Sequence, residues 1–408
     1  MIVRGGTVVT ADGVTRLDVA IRDGRITRVD RDLEEQPEEI DATGLHIFPG
    51  GIDSHVHFNE PGRTDWEDIA HGSAALAAGG YTAFVDMPLN NLPVTTTVEA
   101  FDLKLGAMER SAKVDYGLWA GLVPGNLHQL EPLVRRGVMG FKAFMCPSGI
   151  DEFPMADERT LREGMKRIAE LDSILLVHAE DPALLRDPRG PTARDFLESR
   201  PPEAEVTAIA KVVALSEETG CRVHVVHVST VRGAALLDHV SGETCPHYLI
   251  YGEDDLDRLG GLGKCAPPFR AERMPLLPIV VSDHSPSTSE LKQGDDFRTI
   301  WGGISGCQST RQLLLAHETD LALVAAVTSI NVADRFRIEF KGQVAPGFDA
   351  DLWIVDLDHE DVVRREDLLY RNPFSAHEGQ KIRGKTVRTL VRGKEPGQGQ
   401  FIRPGGRS

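Results

Sequence analysis

Ile52-Asp53-Ser54-His55-Val56-His57 alternates like a β-strand and runs out into Asn59-Glu60-Pro61-Gly62, a loop-forming stretch. Side chains two apart on a strand share a face, so His55 and His57 converge. Two convergent imidazoles make half of a site for a divalent ion. The same pair could equally be satisfied core histidines, so the residues that could join it decide the matter. Lys142 lies inside the apolar run Gly140 to Phe144, and His178 ends the run Ile174 to His178. His227 follows Val223-His224-Val225-Val226, and Asp283 closes Ile279 to Asp283. Each stands at the end of an apolar strand-like segment. The C-terminal ends of parallel strands are where a (β/α)8 barrel gathers its chemistry. Ligand-type residues from five separate strands argue against a purely structural barrel.

The elements needed to position them are present. Between residues 49 and 335 apolar strands alternate with helical patterns, as a βα barrel requires. Helices are expected over Ile69–Ala78, Val98–Glu109, Leu161–Glu170 and Glu203–Glu218, with a strand over Tyr81–Asp86. Residues 1–48 read instead as short strands, Ile2–Arg4, Thr7–Thr10, Asp18–Ile21 and Arg25–Val29, with turn signals at Asp12-Gly13 and Asp23-Gly24. Strand patterns return at Ala350–Asp356 and Thr386–Val391. The expected fold class is α/β: a TIM-like barrel over residues 49–335, with a small β-sandwich domain assembled from residues 1–48 and 336–408.

Three connections look too short for that barrel. They are His227 to His247, Pro268 to Ile279, and Ser309 to Val332. A parallel crossover takes about a dozen residues or more. Either these crossovers are trimmed or the chain joins segments that a longer one would separate, and the compressed spacing favours the latter.

Composition narrows the function. A net charge of −17 over 408 residues argues against a general binder of nucleic acid or anionic membrane. No uncharged apolar run reaches the roughly 18 residues of a membrane helix, and the N-terminus lacks a signal-peptide pattern. Five cysteines without paired spacing fit reduced thiols, so a cytoplasmic location is expected. Cys146, Cys245 and Cys265 lie near the chemistry-bearing segments, where packing is the expected role.

The segments HVHFNEPGR, GFKAFMCPSG, LLVHAED, VHVVHVS, ETCPHYL, KCAPPFR and SDHSP occur in this order. As an ordered set they resemble the cyclic amidohydrolases, the group of dihydroorotase, hydantoinase and allantoinase, from the first strands to about Gly393. The resemblance implies two divalent ions, zinc first among candidates, with manganese, cobalt or iron also suited to imidazole and carboxylate ligands. It places one ion on His55, His57 and Asp283 and the other on His178 and His227. Lys142 would join both as N6-carboxylysine, because an unmodified ammonium offers no lone pair. His224 alternates away from His227 and is left out of the set. His284 and His247 are expected to hydrogen-bond around it rather than within it.

A water bridging two cations ionises near neutral pH and can attack a ring carbonyl, with Asp283 passing its proton to the departing nitrogen. The substrate follows from departures within the group. Dihydroorotases resembling this chain carry an arginine where Asn59 stands and an asparagine where Leu89 stands, both for a substrate carboxylate. Hydantoinases carry a tyrosine where Pro147 sits. The stretches HVHFNEPGRTDWE, DMPLNNLP, KAFMCPSGIDEFP and WGGISG resemble the allantoinase branch, which opens the hydantoin ring of allantoin to allantoate. Asn59, Asn90 and Ser148 are the expected substrate contacts, and a homo-oligomer, dimer or tetramer, is the expected assembly. The alternatives are a hydrolase of another neutral ring, as in hydantoinase or dihydropyrimidinase, and an inactive scaffold of the same fold. An inactive scaffold has no chemical reason to retain His55, His57, Lys142, His178, His227 and Asp283 together.

Overall fold

The structure is a computed structural model and describes residues 1–405. The chain begins with β1 (Ile2–Thr10), β2 (Gly13–Arg22), β3 (Arg25–Asp30), β4 (Glu39–Asp41) and β5 (His46–Pro49). The two short segments expected at the start form one strand. A register shift between Val3 and Gly6 lets it run on, with Gly5 at φ 71°.

Eight parallel strands follow: β6 (Gly51–Val56), β7 (Tyr81–Asp86), β8 (Asp115–Gly121), β9 (Gly140–Phe144), β10 (Ile174–His178), β11 (Arg222–Val225), β12 (Ser241–Thr244) and β13 (Ile279–Val280). They pair in sequence order as one curled sheet whose edges meet at a parallel bridge between Val56 and His284. Nearly every strand residue is buried, as expected when helices cover one face and side chains fill the other. The helices Ile69–Ala78, Val98–Ser111, Glu158–Glu170 and Pro202–Thr219 form as expected, three of them N-capped by Asp68, Thr97 and Asp157. A further helix, Leu127–Arg136, carries Pro132 inside it, a residue that reads in the sequence as a helix breaker.

The chain runs through all three compressed connections without interruption. Between β11 and β12 there is one four-residue helix, Val231–Ala234, and β13 is reduced to two residues.

From residue 350 the chain returns to the first sheet as β14 (Leu352–Val362) and β15 (Lys381–Leu390), giving a mixed seven-stranded sheet from both chain ends. Alternation fills two cores from this one sheet. Val8, Ile47 and Ile354 join the small domain's own core, while Val9, Phe48 and Trp353 pack with Leu314 and Leu315 of the barrel's last helices. Arg311 fastens the joint: its buried guanidinium lies 4.2 Å from the Trp353 ring centroid and donates to the carbonyls of Gly80 and Pro49. No helix among the described residues is long and apolar enough to cross a membrane.

Candidate metal centre and active site

The ends of β6, β9, β10, β11 and β13 converge on one cavity of about 360 Å³, lined by His55, His57, Lys142, His178, His227 and Asp283. The His55 and His57 rings are 5.5 Å apart, and Asp283 Oδ1 lies 3.2 Å from His55 Nε2 and 3.5 Å from His57 Nε2. Across the cavity His178 Nδ1 is 3.0 Å from His227 Nε2, and the His227 ring is 5.5 Å from that of His55. His227 and Asp283 adopt φ of 40° and 46°, a left-handed backbone that L residues avoid unless their surroundings hold them there.

Acceptors around the cavity fix the tautomers. The Leu89 carbonyl, 3.3 Å from His57 Nδ1, can only accept, so the proton sits on Nδ1 and the Nε2 lone pair faces inward. Glu243 Oε1, 2.5 Å from His55 Nδ1, does the same for that ring. Glu180 Oε2, 2.7 Å from His178 Nε2, leaves the His178 Nδ1 lone pair facing the cavity. Among the described residues, His227 Nδ1 is buried without a hydrogen-bond partner. Burial and the neighbouring Lys142 charge hold the His55 imidazole well below its ordinary pKa, and burial with His178 does so for His227. Burial lowers His178 too, against the pull of Glu180. These rings are neutral and able to ligate.

Lys142, 1% exposed on β9, forms no ion pair among the described residues; burial lowers its pKa to about 8, against the opposing carboxylates of Asp283 and Glu243. Burial also works against the ionised Asp283 carboxyl, but His57, His247 and Lys142 together outweigh it and its pKa is lowered.

Glu243 and Glu180 were not singled out from the sequence, although both lie within quoted segments, ETCPHYL and LLVHAED. Glu243 also accepts from His224 Nε2 at 3.0 Å, whose Nδ1 meets Ser241 Oγ at 2.6 Å. His224 thus stays off the cavity yet supports His55 through a shared carboxylate. Glu180 is gripped in turn by Arg200. His284 pairs with Glu67 at 3.3 Å and accepts from the Gly306 amide. Contrary to expectation, His247 has neither ring nitrogen hydrogen-bonded among the described residues, and lies with Cys245 beside Asp283.

The three expected substrate contacts are placed differently. Asn90 lines the cavity, and its amide sits 3.4 Å from His57 Nδ1. Ser148 lines it too, but its hydroxyl bonds the Ile150 and Phe153 carbonyls of its own loop. Asn59 does not reach the cavity wall. It is fully buried, with its amide 3.4 Å from the Pro286 carbonyl.

The donor set suits divalent ions: inward imidazole lone pairs, one ionised carboxylate, and a solvent-poor pocket. Parallel strands deliver these groups to the mouth of a barrel where catalytic sites of this fold lie, which defines a candidate metal-dependent enzyme. A family model described as the amidohydrolase family matches residues 46–254, and the chain belongs to that family. It is 47% identical to an allantoinase of Solibacter usitatus, covering 96% of this chain and 92% of that protein. It is 48% identical to an allantoinase of Rubrobacter xylanophilus, covering 99% and 97%. That alignment of 443 positions exceeds the 408 residues here, so the relative carries segments this chain lacks. Among solved structures, the L-hydantoinase (dihydropyrimidinase) from Arthrobacter aurescens superposes with a TM-score of 0.94 at 30% identity, covering 98% of this chain and 99% of that one. The family and these neighbours imply a binuclear metal centre.

Proposed function

We propose that this protein is an allantoinase, hydrolysing the hydantoin ring of allantoin to allantoate at the cavity around Asp283. The observation that carries the choice of a neutral ring is how the cavity's cations are engaged. Arg200 is held by Glu180, Arg298 by Asp296, and the Lys264 ammonium by backbone carbonyls. Apart from Lys142, which the proposal assigns to the metals, each lysine and arginine among the described lining residues already has a partner. Leu89, where dihydroorotases have a carboxylate-binding group, offers the cavity only an apolar side chain. The allantoinase relatives, similar over nearly the full length, support the same reading.

His55, His57 and Asp283 would hold one ion, and His178 and His227 the other. Lys142 would bridge them after its neutral amine adds to carbon dioxide and loses a proton, giving a carbamate with two oxygens. A pKa near 8 leaves an appreciable fraction of free amine for that addition. Zinc is the first candidate. When bound, the ions lower the pKa of water and polarise the carbonyl to be attacked. Asp283 is the catalytic carboxylate: kept ionised beside His57, it can take a proton and deliver it to the leaving ring nitrogen. Asn90 would meet the ring or its ureido arm. We extend the proposal to a catalytic unit over residues 49–335 with flanking residues 1–48 and 336–408 forming the small domain. We also extend it to a dimer or tetramer, and to a reducing, cytoplasmic setting in which the buried free cysteines persist.

The test is turnover by protein reconstituted with zinc and bicarbonate. Allantoin should exceed dihydroorotate in kcat/KM by at least about a hundredfold, the scale lost when a buried charge lacks its partner. Comparable values, or a preference for unsubstituted hydantoin, would overturn the assignment.

A further inference from the structure

Two lysines near the cavity are not explained by the metal centre. Lys264 opens the segment KCAPPFR, and Lys292 follows 28 residues later. Both are buried, 7% and 6% exposed, and among the described residues neither forms an ion pair. Their ammonium groups are satisfied by backbone carbonyls. Lys264 Nζ donates to Phe297 O at 2.6 Å and Ile300 O at 2.5 Å, and lies 5.0 Å from the Phe196 ring centroid. Lys292 Nζ donates to Trp301 O at 2.9 Å and Gly303 O at 2.5 Å. These four carbonyls belong to one short segment, residues 297–303, which has little regular structure and forms part of the cavity wall; Lys292 Nζ also reaches Lys264 O at 3.5 Å.

A buried ammonium without a carboxylate costs several kcal/mol unless its donors are filled, so such a pair persists only where the structure holds it. Here the cost is offset by carbonyl dipoles, and the effect is to fix a segment that would otherwise be loose. Backbone bonds complete the clasp: Gly303 N donates to Lys264 O at 2.7 Å and Trp301 N to Leu291 O at 2.8 Å. Gly303, at φ 156°, lies so close to Ser285 that a Cβ there would sit 2.5 Å from the Ser285 carbonyl. The segment is therefore seated directly against the strand end that carries Asp283.

We infer that Lys264 and Lys292 are positioning residues that hold residues 297–303 as a rigid wall of the substrate pocket. The inference rests on the allantoinase reading for its kinetic arm only. Lys264→Met and Lys292→Met keep the apolar stems and remove the donors. In the zinc-reconstituted enzyme each should raise KM for allantoin about tenfold or more, with a smaller change in kcat and unchanged metal content. Mere loss of folded protein would lower kcat and leave KM alone. Hydrogen exchange supplies the second arm: in the wild-type protein the 297–303 peptide should exchange as slowly as β7, and in the variants at least about tenfold faster. Wild-type protein that fails to turn over allantoin removes the functional reading but leaves the exchange contrast to test the clasp. If neither variant folds, slow exchange of the segment in wild type still supports the clasp. Fast exchange in wild type, or variants with unchanged KM and unchanged exchange, would overturn it.

Discussion

Glu243 offers the most informative single substitution, because one carboxylate steadies two histidines. It accepts from His55 Nδ1 at 2.5 Å and from His224 Nε2 at 3.0 Å, and it is fully buried. Burial raises the Glu243 carboxyl pKa well above its ordinary value, but a dication on His55 would favour the carboxylate. A hydrogen bond to a charged group contributes about 1.5–3 kcal/mol. Glu243→Gln keeps the shape and one acceptor for His55. His224 can shift its proton to Nδ1, donate to Ser241, and accept from the new amide. Only the charge-assisted part is then lost, about 1–1.5 kcal/mol, or five- to tenfold in affinity of the nearby ion. Glu243→Ala leaves the His55 N–H without an acceptor and frees the ring to turn, so the loss should approach a hundredfold, the upper range for residues that orient a metal ligand. Metal-stripped protein titrated with zinc against a competing chelator gives the dissociation constants, with the melting temperature of the stripped protein as a check on folding. The order wild type, Gln, Ala is expected. Values within about twofold across all three would refute the claim that Glu243 orients a ligand.

Lys142→Ala should lose most activity and a metal, with partial recovery by a small carboxylic acid that supplies the missing oxygens, whereas Lys142→Arg keeps a cation and should not be rescued; turnover with and without added acid decides. His377, pushed down to about 3 by burial, gives a pH dependence. The unfolded ring titrates near 6.5, so between these values the unfolded chain binds the extra proton. Stability is full above about pH 6.5 and falls by about 1.4 kcal/mol per unit on acidification, levelling near pH 3. Urea unfolding of His377→Gln should show a slope smaller by up to about one proton, and an unchanged slope would count against the assignment. Arg311→Met should lower stability by about 3 kcal/mol, because the Gly80 and Pro49 carbonyls lose a buried donor and Trp353 its cation; denaturant titration measures it.

The sequence revealed those parts of the site that strand periodicity and residue type determine together. His55 lies on β6 and His57 just past its end, Lys142 lies within β9, and His178 ends β10; in each case an apolar run points to the strand and its end to the cavity. What stayed hidden depends on pairing between distant strands. Glu243 on β12 meets His55 on β6 through packing 188 residues apart, which no local pattern encodes. Asn59 follows two ligand-type histidines with the right spacing, yet its backbone turns it into the interior beside Pro286. The helix Leu127–Arg136 was obscured by Pro132, and the continuity of β1 by the kink at Gly5. The short connections were legible in the sequence, whereas the brevity of β12 and β13, four and two residues, was not.

The central claim is that two ions held by these residues make the protein an allantoinase. Its most direct test is to strip the metal, add zinc stepwise in the presence of bicarbonate, and follow allantoin opening against bound zinc. Turnover is expected to be negligible without metal and to rise to a plateau at two ions per chain. A plateau at one ion, full activity in the stripped protein, or two bound ions with no turnover would contradict the claim.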